Sequence, residues 1–347
     1  MGATRVLVVC GTGFIGTHVV RLLHSRGHEV TVLHRGRHEP ALPPDVRHVR
    51  SEQASIPVLA FPDAVRGAQY DAVVHMVPIG EADARAAVDA FRGRAGRLVA
   101  VSSGDVYAAY GQLIGAEQPS AANAPAGLLD EDAPLRRTRY PYGRSVPGPW
   151  GGELRDYDKI LVEQVVLGDP ELRGTVVRLP KVYGPGDGQH HFLPYLKRMD
   201  DGRPVILLGD RQARWRWTHG YVEEVAAAIA LAAIDDRAAG RLYNVGEAHT
   251  PTLEARVQAL GRAAGWTGEV VRLPDERLPR HLRGPLRYEV DLAVDSSRIR
   301  GELGYAEAVA GDEALRRTVE WERSVAAAVD PAAYDYAAED AALRAPP

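Results

Sequence analysis

An apolar run that passes directly into a glycine-rich loop near the start of the chain constrains the fold more than any other feature. Arg5–Cys10 reads as a short buried strand, and Phe14–Arg26 reads as a helix. Between them lies a GxGxxG pattern, whose glycines permit a tight turn and whose helix N-terminus offers free N–H groups to a pyrophosphate. The pattern predicts a dinucleotide-binding loop made of Gly11, Thr12, Gly13, Phe14, Ile15 and Gly16.

The rest of the first half alternates short Val/Leu-rich runs with helical stretches. This rhythm is typical of a parallel sheet covered by helices on both faces. We therefore predict an α/β fold, a Rossmann-type doubly wound parallel sheet. The expected strands are Glu29–His34, Val46–Arg50, Asp71–Met76, Arg97–Ser102 and Thr175–Leu179, and the expected helices include Ala84–Phe91 and Tyr157–Leu167.

The rhythm changes in the second half, where we expect a smaller C-terminal substrate lobe. The dinucleotide domain is assigned to residues 1–189 plus 205–247, the lobe to 190–204 and 248–323, and a tail to 324–347, which we expect to fray from about Val325. Gly111–Gly152 is rich in Pro, Gly and Ala and predicts a long functional loop. The expected elements are helices Phe192–Met199, Tyr221–Ala233 and Leu253–Ala264, the last capped by Thr252, and strand Arg241–Val245.

Composition excludes several classes of protein. The apolar fraction of 45%, the charged fraction of 25% and the net charge of −4 indicate a globular protein that binds no nucleic acid. The single cysteine, Cys10, rules out an internal disulfide framework. No run approaches the roughly 20 apolar residues that a membrane helix needs, and the start lacks signal-peptide features. We expect a cytoplasmic protein without membrane contact.

The end of the second strand predicts which dinucleotide binds. NAD-preferring sites place a carboxylate there for the ribose 2′-hydroxyl. Here the segment Leu33–Arg37 has no carboxylate, and Arg35 or Arg37 can pair with a 2′-phosphate. The sequence therefore favours NADP(H), with NAD(H) still possible. The alternative is that both arginines are solvated surface residues.

Six further segments occur in an order that resembles one enzyme family. They are Val101–Tyr107 (VSSGDVY), Lys159–Glu163 (KILVE), Arg178–Pro185 (RLPKVYGP), Tyr221–Ala226 (YVEEVA), Tyr243–Gly246 (YNVG), and Asp295–Arg298 (DSSR) with Leu303-Gly304. On these motifs the chain, from about Val6 to Arg323, resembles the extended short-chain dehydrogenase/reductase family, in its epimerase/dehydratase group. The resemblance implies an NAD(P)-dependent enzyme that moves a hydride at a secondary alcohol or ketone carbon. It also implies catalytic roles for Ser103 and Lys159, and cofactor contacts by Lys159, Pro180 and Val182.

The chain departs from the family pattern at three positions. The family usually has glycine where this chain has Cys10, and an asparagine that commonly touches substrate where this chain has Lys181. The family's catalytic tyrosine lies four residues before the lysine, on the same helix face, where the ammonium lowers the phenol pKa. That position is Arg155 here. Tyr157 stands two residues before Lys159, roughly 200° around a regular helix, and is expected to face away.

Another group must therefore exchange the proton with the reacting oxygen. Asp105 stands two residues after Ser103, where the family's dehydratases carry a glutamate; their preceding aspartate is Gly104 here. The alternative for Asp105 is a loop residue that caps the next turn. Tyr142 opens the segment Tyr142–Val146, which is similar to the family's YGxSK with Val146 in place of lysine, and the following run Pro147–Gly152 cannot be a continuous helix. Asp105 and Tyr142 are both kept as candidates.

The resemblance to the family also implies an anionic, sugar-like small-molecule substrate, because the family keeps an arginine for the substrate's phosphates in this part of the chain. The residues assigned to substrate binding are Lys181, His191, Arg214 and Arg216. No metal site is expected, because His190 and His191 are adjacent and lack further ligands at metal-site spacing.

An epimerase acting on a sugar or nucleotide sugar is the leading hypothesis, and a biosynthetic NADPH-dependent ketoreductase is the alternative. A hypothesis of a different class is a cofactor-binding sensor or interaction protein with little catalysis. The family often dimerises through two helices, so we also expect a homodimer formed by Ala82–Ala90 and Ile160–Leu167.

Overall fold

The structure, a computed structural model, describes residues 2–37, 40–51, 56–118, 127–143, 154–325 and 327–344. Its strands are β1 Arg5–Val9, β2 Glu29–His34, β3 Arg47–Arg50, β4 Ala72–His75, β5 Leu98–Ser103, β6 Gly174–Leu179, β7 Lys181–Tyr183, β8 Val205–Gly209, β9 His219–Tyr221, β10 Leu242–Asn244 and β11 Glu269–Leu273. Its helices are α1 Phe14–Ser25, α2 Asp63–Arg66, α3 Glu81–Phe91, α4 Ala108–Leu113, α5 Lys159–Gly168, α6 Leu193–Asp200, α7 Asp210–Arg214, α8 Val222–Ile234, α9 Leu253–Ala264, α10 Ser297–Leu303, α11 Gly311–Ser324 and α12 Tyr336–Arg344.

Within the described residues, seven parallel strands form a main sheet in the order β3-β2-β1-β4-β5-β6-β10. Alternate side chains of β1 enter two separate cores. Val6 and Val8 join the core that contains α1 and α8, whereas Leu7 and Val9 join the core that contains α3 and α5. Burial on both faces explains why these strands read as continuous apolar runs. The doubly wound fold class is confirmed.

The strand order reverses direction at β1, which lies between β2 and β4. In such sheets a crevice opens beyond the carboxyl ends of the strands at the reversal, and ligands bind there. The loop after β1 and the segments after β4, β5 and β6 therefore border one crevice.

The smaller part of the molecule contains two short parallel sheets, β8–β11 and β7–β9, in the described part of the chain. Helix α9 has the predicted bounds, and the hydroxyl of Thr252 accepts a hydrogen bond from the Ala255 N–H at 3.3 Å. The helix ends at Gly265, which adopts a left-handed φ of 72°. The division into domains by residue number stays a prediction.

The prediction that the chain frays from about Val325 is wrong. Tyr336–Arg344 forms α12, and the side chain of Glu339 is buried against α6. Its carboxylate accepts hydrogen bonds from Arg198 at 2.7 Å and from His281 Nε2 at 2.9 Å. No local sequence pattern indicates these contacts, because the partners of Glu339 lie 141 and 58 residues away in sequence.

The predicted long loop Gly111–Gly152 is interrupted at its start, because its first three residues belong to α4. Residues 119–126 and 144–153 lie outside the described residues, and with them the prediction about the run after Val146. Of the helices in the described chain, none combines the length and the apolar character needed to cross a membrane.

Candidate active site

The glycine-rich loop is shaped by close backbone packing. A Cβ atom on Gly11 would lie 2.8 Å from a methyl group of Val8, and one on Gly16 would lie 2.8 Å from the Gly11 Cα. Both contacts are too short for any side chain, so these two glycines let α1 pack directly against the loop. Cys10 precedes them with a positive φ of 62°, a conformation that glycine adopts more easily.

The start of α1 fits a pyrophosphate. Gly13 is the N-cap residue, and it has no side chain to bond the first N–H groups of the helix. A Cβ on Gly13 would meet no atom within 4 Å, so the space in front of the helix is open. Free N–H groups and the positive end of the helix dipole together bind anions. The loop Gly11–Gly16 therefore fits the nicotinamide dinucleotide that its motif predicts.

Arginine side chains gather at the end of β2. Arg35 is partly buried and Arg37 is exposed, and the Nε atom of Arg50 lies 3.6 Å from the position that a Cβ on Gly36 would occupy. His34 accepts a hydrogen bond from the Gly36 N–H at 3.2 Å, which fixes the turn. The segment is positively charged, as the sequence predicted.

Lys159 is the first residue of α5, and its side chain is buried. It donates to the carbonyl oxygen of Val101 at 3.0 Å and to that of Pro78. Asp158 caps the helix by accepting from the Ile160 N–H at 3.0 Å. Burial lowers the pKa of Lys159 to about 8.

Ser103 ends β5, and Asp105 follows in a 3-10 turn, Gly104–Val106. The Ser103 hydroxyl accepts a hydrogen bond from the Asp105 N–H at 3.2 Å, so it is the serine that caps this turn. The carboxyl of Asp105 is only 5% exposed and is turned toward aromatic hydroxyls instead. The geometry therefore does not support the alternative in which Asp105 caps this turn.

Tyr157 contacts Asp105, so the prediction that it faces away is wrong. Its hydroxyl donates to Asp105 Oδ2 at 2.6 Å. The prediction assumed a helix from Tyr157 onward, but α5 begins only at Lys159, and Tyr157 precedes the cap. Asp105 Oδ1 is fully buried and has no hydrogen-bond partner among the residues that the structure describes. A buried polar atom without a partner carries a desolvation cost, and such atoms are found at catalytic sites among other places.

Two more tyrosines complete a group of aromatic hydroxyls, here called the tyrosine cluster: Tyr110, Tyr142 and Tyr157. The Tyr142 hydroxyl lies 3.4 Å from Asp105 Oδ2 and 2.8 Å from the Tyr110 hydroxyl. The rings of Tyr142 and Tyr157 meet edge to face, with centroids 5.2 Å apart. The structure thus brings Tyr142 to Asp105 from its loop, as its motif suggested.

Burial sets the protonation states in this cluster. It raises the pKa of Asp105, and the hydrogen bond from Tyr157 partly opposes that change. It also raises the pKa of Tyr157 and of Tyr142 well above the usual value, with the nearby Asp105 acting in the same direction. Near neutral pH the tyrosines are therefore donors, and Asp105 keeps its proton more readily than an ordinary carboxyl does.

Four residues of the family motifs form a buried network that sequence reasoning did not foresee. Arg178 donates to Glu163 at 2.8 Å and to the Tyr107 hydroxyl at 2.9 Å, and that hydroxyl donates to Asn244 at 2.7 Å. The network joins β6, α5, the turn after β5, and β10. The order of the motifs in the sequence was the available indication of this network. Motif spacing alone does not reveal which side chains are in contact when the partners are separated by 15 to 137 residues.

Of the four residues that were assigned to substrate binding, Lys181 and His191 are partly buried and the other two are exposed. Lys181 begins β7, and its ammonium lies 5.1 Å from the centroid of the Trp217 ring. His191 Nδ1 lies 2.6 Å from a carboxylate oxygen of Asp187. Pro180 and Val182 flank Lys181, and Val182 is buried.

Arg214 and Arg216 are both exposed, and Arg216 donates to the Thr250 carbonyl at 3.1 Å. In the extended segment that follows α7, alternation turns Trp215 and Trp217 inward and Arg216 outward. The structure does not bring these two arginines to the tyrosine cluster.

Comparison with known proteins adds to this geometry. Residues 6–246 match the model of the NAD dependent epimerase/dehydratase family. The chain is 29% identical to a dTDP-glucose 4,6-dehydratase of Streptomyces niveus, over 92% of this chain and 93% of that protein. It is 30% identical to a 2′-dehydrokanamycin reductase of Streptomyces kanamyceticus, over 78% of this chain and 70% of that protein.

Among solved structures, the fold is similar to that of the Bordetella bronchiseptica enzyme WbmH in complex with NAD+. The TM-score is 0.65 at 18% identity, covering 93% of this chain and 99% of that one. At this identity the likeness concerns the fold alone.

Proposed function

Since the chain belongs to the NAD-dependent epimerase/dehydratase family and is an NAD-dependent enzyme, we propose that it transfers a hydride at a secondary alcohol or ketone carbon of a sugar-like substrate. The residues proposed to support this chemistry are Ser103, Asp105 and Lys159. The observation that carries the proposal is the state of the Asp105 carboxyl. One oxygen is held by Tyr157 at 2.6 Å, while the other is buried without a partner in the described residues. We propose that this second oxygen, on a carboxyl whose pKa is raised by burial, exchanges a proton with a substrate oxygen.

Each polar group at the site has a distinct part in this proposal. Gly11–Gly16 would hold a nicotinamide dinucleotide, which would supply or accept the hydride. Asp105 exchanges the proton, and the Ser103 hydroxyl bonds the reacting oxygen as charge develops on it. Lys159 has three N–H donors, of which two are used by the carbonyls of Val101 and Pro78. The third is available for a ribose hydroxyl of the cofactor.

Epimerisation is the leading form of the reaction. The family's dehydratases carry an aspartate directly before their glutamate, and this chain has Gly104 in its place, which favours epimerisation over dehydration. An epimerase oxidises a carbon and reduces it again from the opposite face, so no cofactor is consumed. The test is to incubate the enzyme and cofactor with nucleotide sugars and separate the epimers by chromatography. Asp105→Asn is the control, and epimer formation at the same rate in that variant would reject the assignment.

Ketone reduction is the second candidate, and two observations favour it. The positive segment at the end of β2 suits NADPH, the usual hydride source for net reductions, and one relative is a 2′-dehydrokanamycin reductase. Net reduction consumes NADPH and is followed by the loss of its absorbance. Consumption with keto-sugars, together with no epimerisation, would decide for this candidate.

We propose that the enzyme prefers NADP(H), through Arg35 and Arg37. The preference is tested by titrating NADPH and NADH into the wild type and Arg35→Ala. Loss of a charge-assisted pair should weaken NADPH binding about tenfold to a hundredfold and leave NADH binding unchanged. Arg26→Ala, an exposed arginine at the end of α1, is the matched control. Equal affinity of the wild type for both cofactors would reject the preference.

A further inference from the structure

Lys181 lies at the same edge of the sheet as Ser103. Strands β5 and β6 are paired in parallel with Ser103 opposite Leu179, and Lys181 follows Leu179 by two residues. Lys181 then pairs with His219 in the short sheet of β7 and β9. The side chain therefore starts from the border of the crevice in which the proposed reaction takes place.

Among the described residues, no carboxylate forms an ion pair with the ammonium of Lys181. The carboxylate whose charge acts on it, Asp187, is already occupied, because Asp187 pairs with His191 at 2.6 Å. Within the ranges that the structure describes, the ammonium of Lys181 makes no hydrogen bond or ion pair to any residue. A partly buried charge without a counter-charge is unfavourable, and an anion placed beside it would remove that cost.

The pKa of Lys181 agrees with this environment. Burial lowers it to about 8, the charge of Arg256 acts in the same direction, and Asp187 opposes both. Binding of an anion next to the ammonium would favour its charged form.

A series of aromatic contacts connects Lys181 to the tyrosine cluster. The ring of Trp217 lies against Lys181 on one side and meets Tyr110 edge to face, with centroids 6.4 Å apart. Tyr110 in turn bonds the hydroxyl of Tyr142, which reaches Asp105. A substrate ring placed against the partly buried Trp217 would have its reacting carbon toward Asp105 and any ionic substituent toward Lys181.

We propose that Lys181 and Trp217 form a subsite for an anionic group of the substrate, a carboxylate or a phosphate, carried on the ring whose carbon reacts at Asp105. This rests on the proposed function for the identity of the reacting carbon, but not for the anion site itself. It makes Lys181, and not the exposed Arg214 or Arg216, the residue that selects charged substrates.

The three lysines of the chain, Lys159, Lys181 and Lys197, allow a direct test. The cofactor-saturated enzyme is treated with an amine-acylating reagent, and modification of each lysine is followed by mass spectrometry. Glucuronate, inorganic phosphate and glucose are added in separate arms. Lys197 serves as the internal control, since it pairs with Asp201 away from the site.

We expect glucuronate or phosphate to slow the modification of Lys181 about tenfold, because an ion pair with the anion protects its ammonium. The rate of modification of Lys197 should not change. Glucose should have no effect. The arm that protects identifies the anion as a carboxylate or a phosphate. An unchanged rate at Lys181 in both anion arms overturns the subsite.

Substitution separates this inference from the proposed function. Lys181→Met should raise the KM for an anionic substrate about tenfold to a hundredfold, with little change in kcat and in cofactor affinity. Lys197→Met should leave the KM, the kcat and the cofactor affinity unchanged. Protection of Lys181 without turnover of any sugar would reject the function and support the subsite. Turnover with an unchanged KM in Lys181→Met would support the function and overturn the subsite.

Discussion

Asp105 has two oxygens in different situations, since Tyr157 bonds one and the other is buried without a partner in the described chain. Asp105→Asn keeps the size of the side chain but removes the exchangeable acid. We expect kcat to fall by about 10²–10⁴-fold, the usual cost of losing a general acid. Initial-rate kinetics measure this, with circular dichroism as the check on folding. Wild-type turnover in the variant would mean that the proton comes from water or from the substrate.

Tyr157 acts on the reaction through Asp105, so its removal should change the pH dependence and not only the rate. Its hydrogen bond favours the charged carboxylate, and Tyr157→Phe therefore raises the pKa of Asp105 further. Ketone reduction needs the protonated acid and falls as pH rises through that pKa. We expect the falling limb of the rate profile to move to higher pH in Tyr157→Phe.

Tyr142→Phe is the comparison for this pH profile, because its hydroxyl is farther from Asp105, at 3.4 Å. It should move the falling limb less than Tyr157→Phe does. Coincident profiles for Tyr157→Phe and the wild type would contradict the positioning role of Tyr157.

Cys10 is strained, because its φ of 62° brings a Cβ atom into the left-handed region. Cys10→Gly removes the Cβ, whereas Cys10→Ala keeps it, and both remove the thiol. We expect the glycine variant to exceed the alanine variant by about 1 kcal/mol in the free energy of unfolding. Urea denaturation measures the difference. An alanine variant of equal or greater stability would show that the loop does not store this strain.

At the scale of the elements, the sequence predicted what depends on local order and missed what depends on distant contacts. The bounds of α9 were predicted to the residue because Thr252 and Gly265 are local start and stop signals. The start of α5 was misplaced by two residues, and that error reversed the direction assigned to Tyr157. The pair Asp105–Tyr157 spans 52 residues, so no local pattern could indicate it.

The ion pair of Arg178 and Glu163 fastens β6 to α5, and both side chains are at most 5% exposed. Arg178→Met leaves a buried carboxylate without its cation, which typically costs about 3–5 kcal/mol. We expect this loss in the free energy of unfolding, measured by chemical denaturation. Arg173→Met, an exposed arginine just before β6, should cost little. Equal stability of the two variants would contradict the role of the network.

At the scale of the whole molecule, assembly stays a prediction. Helices α3 and α5 lie side by side, and a groove between them is lined by residues of both, including Arg85 and Val165. The expected homodimer would pair this face with its two-fold mate. Leu167 is 38% exposed at the end of α5, so Leu167→Arg should reduce the dimer fraction seen by light scattering. Leu343→Arg on α12 is the control, and a monomeric wild type would reject the dimer.

The docking of α12 has a consequence for biosynthesis. Arg198 leaves the ribosome 141 residues before Glu339, its buried partner. During translation the Arg198 guanidinium on α6 therefore lacks its partner Glu339 for some time, while the strands of the main sheet have already been synthesised and can pair. We therefore expect completion of the lobe to be among the last folding events, so that a ribosome stalled before Glu339 carries a nascent chain with a formed cofactor fold and an open lobe.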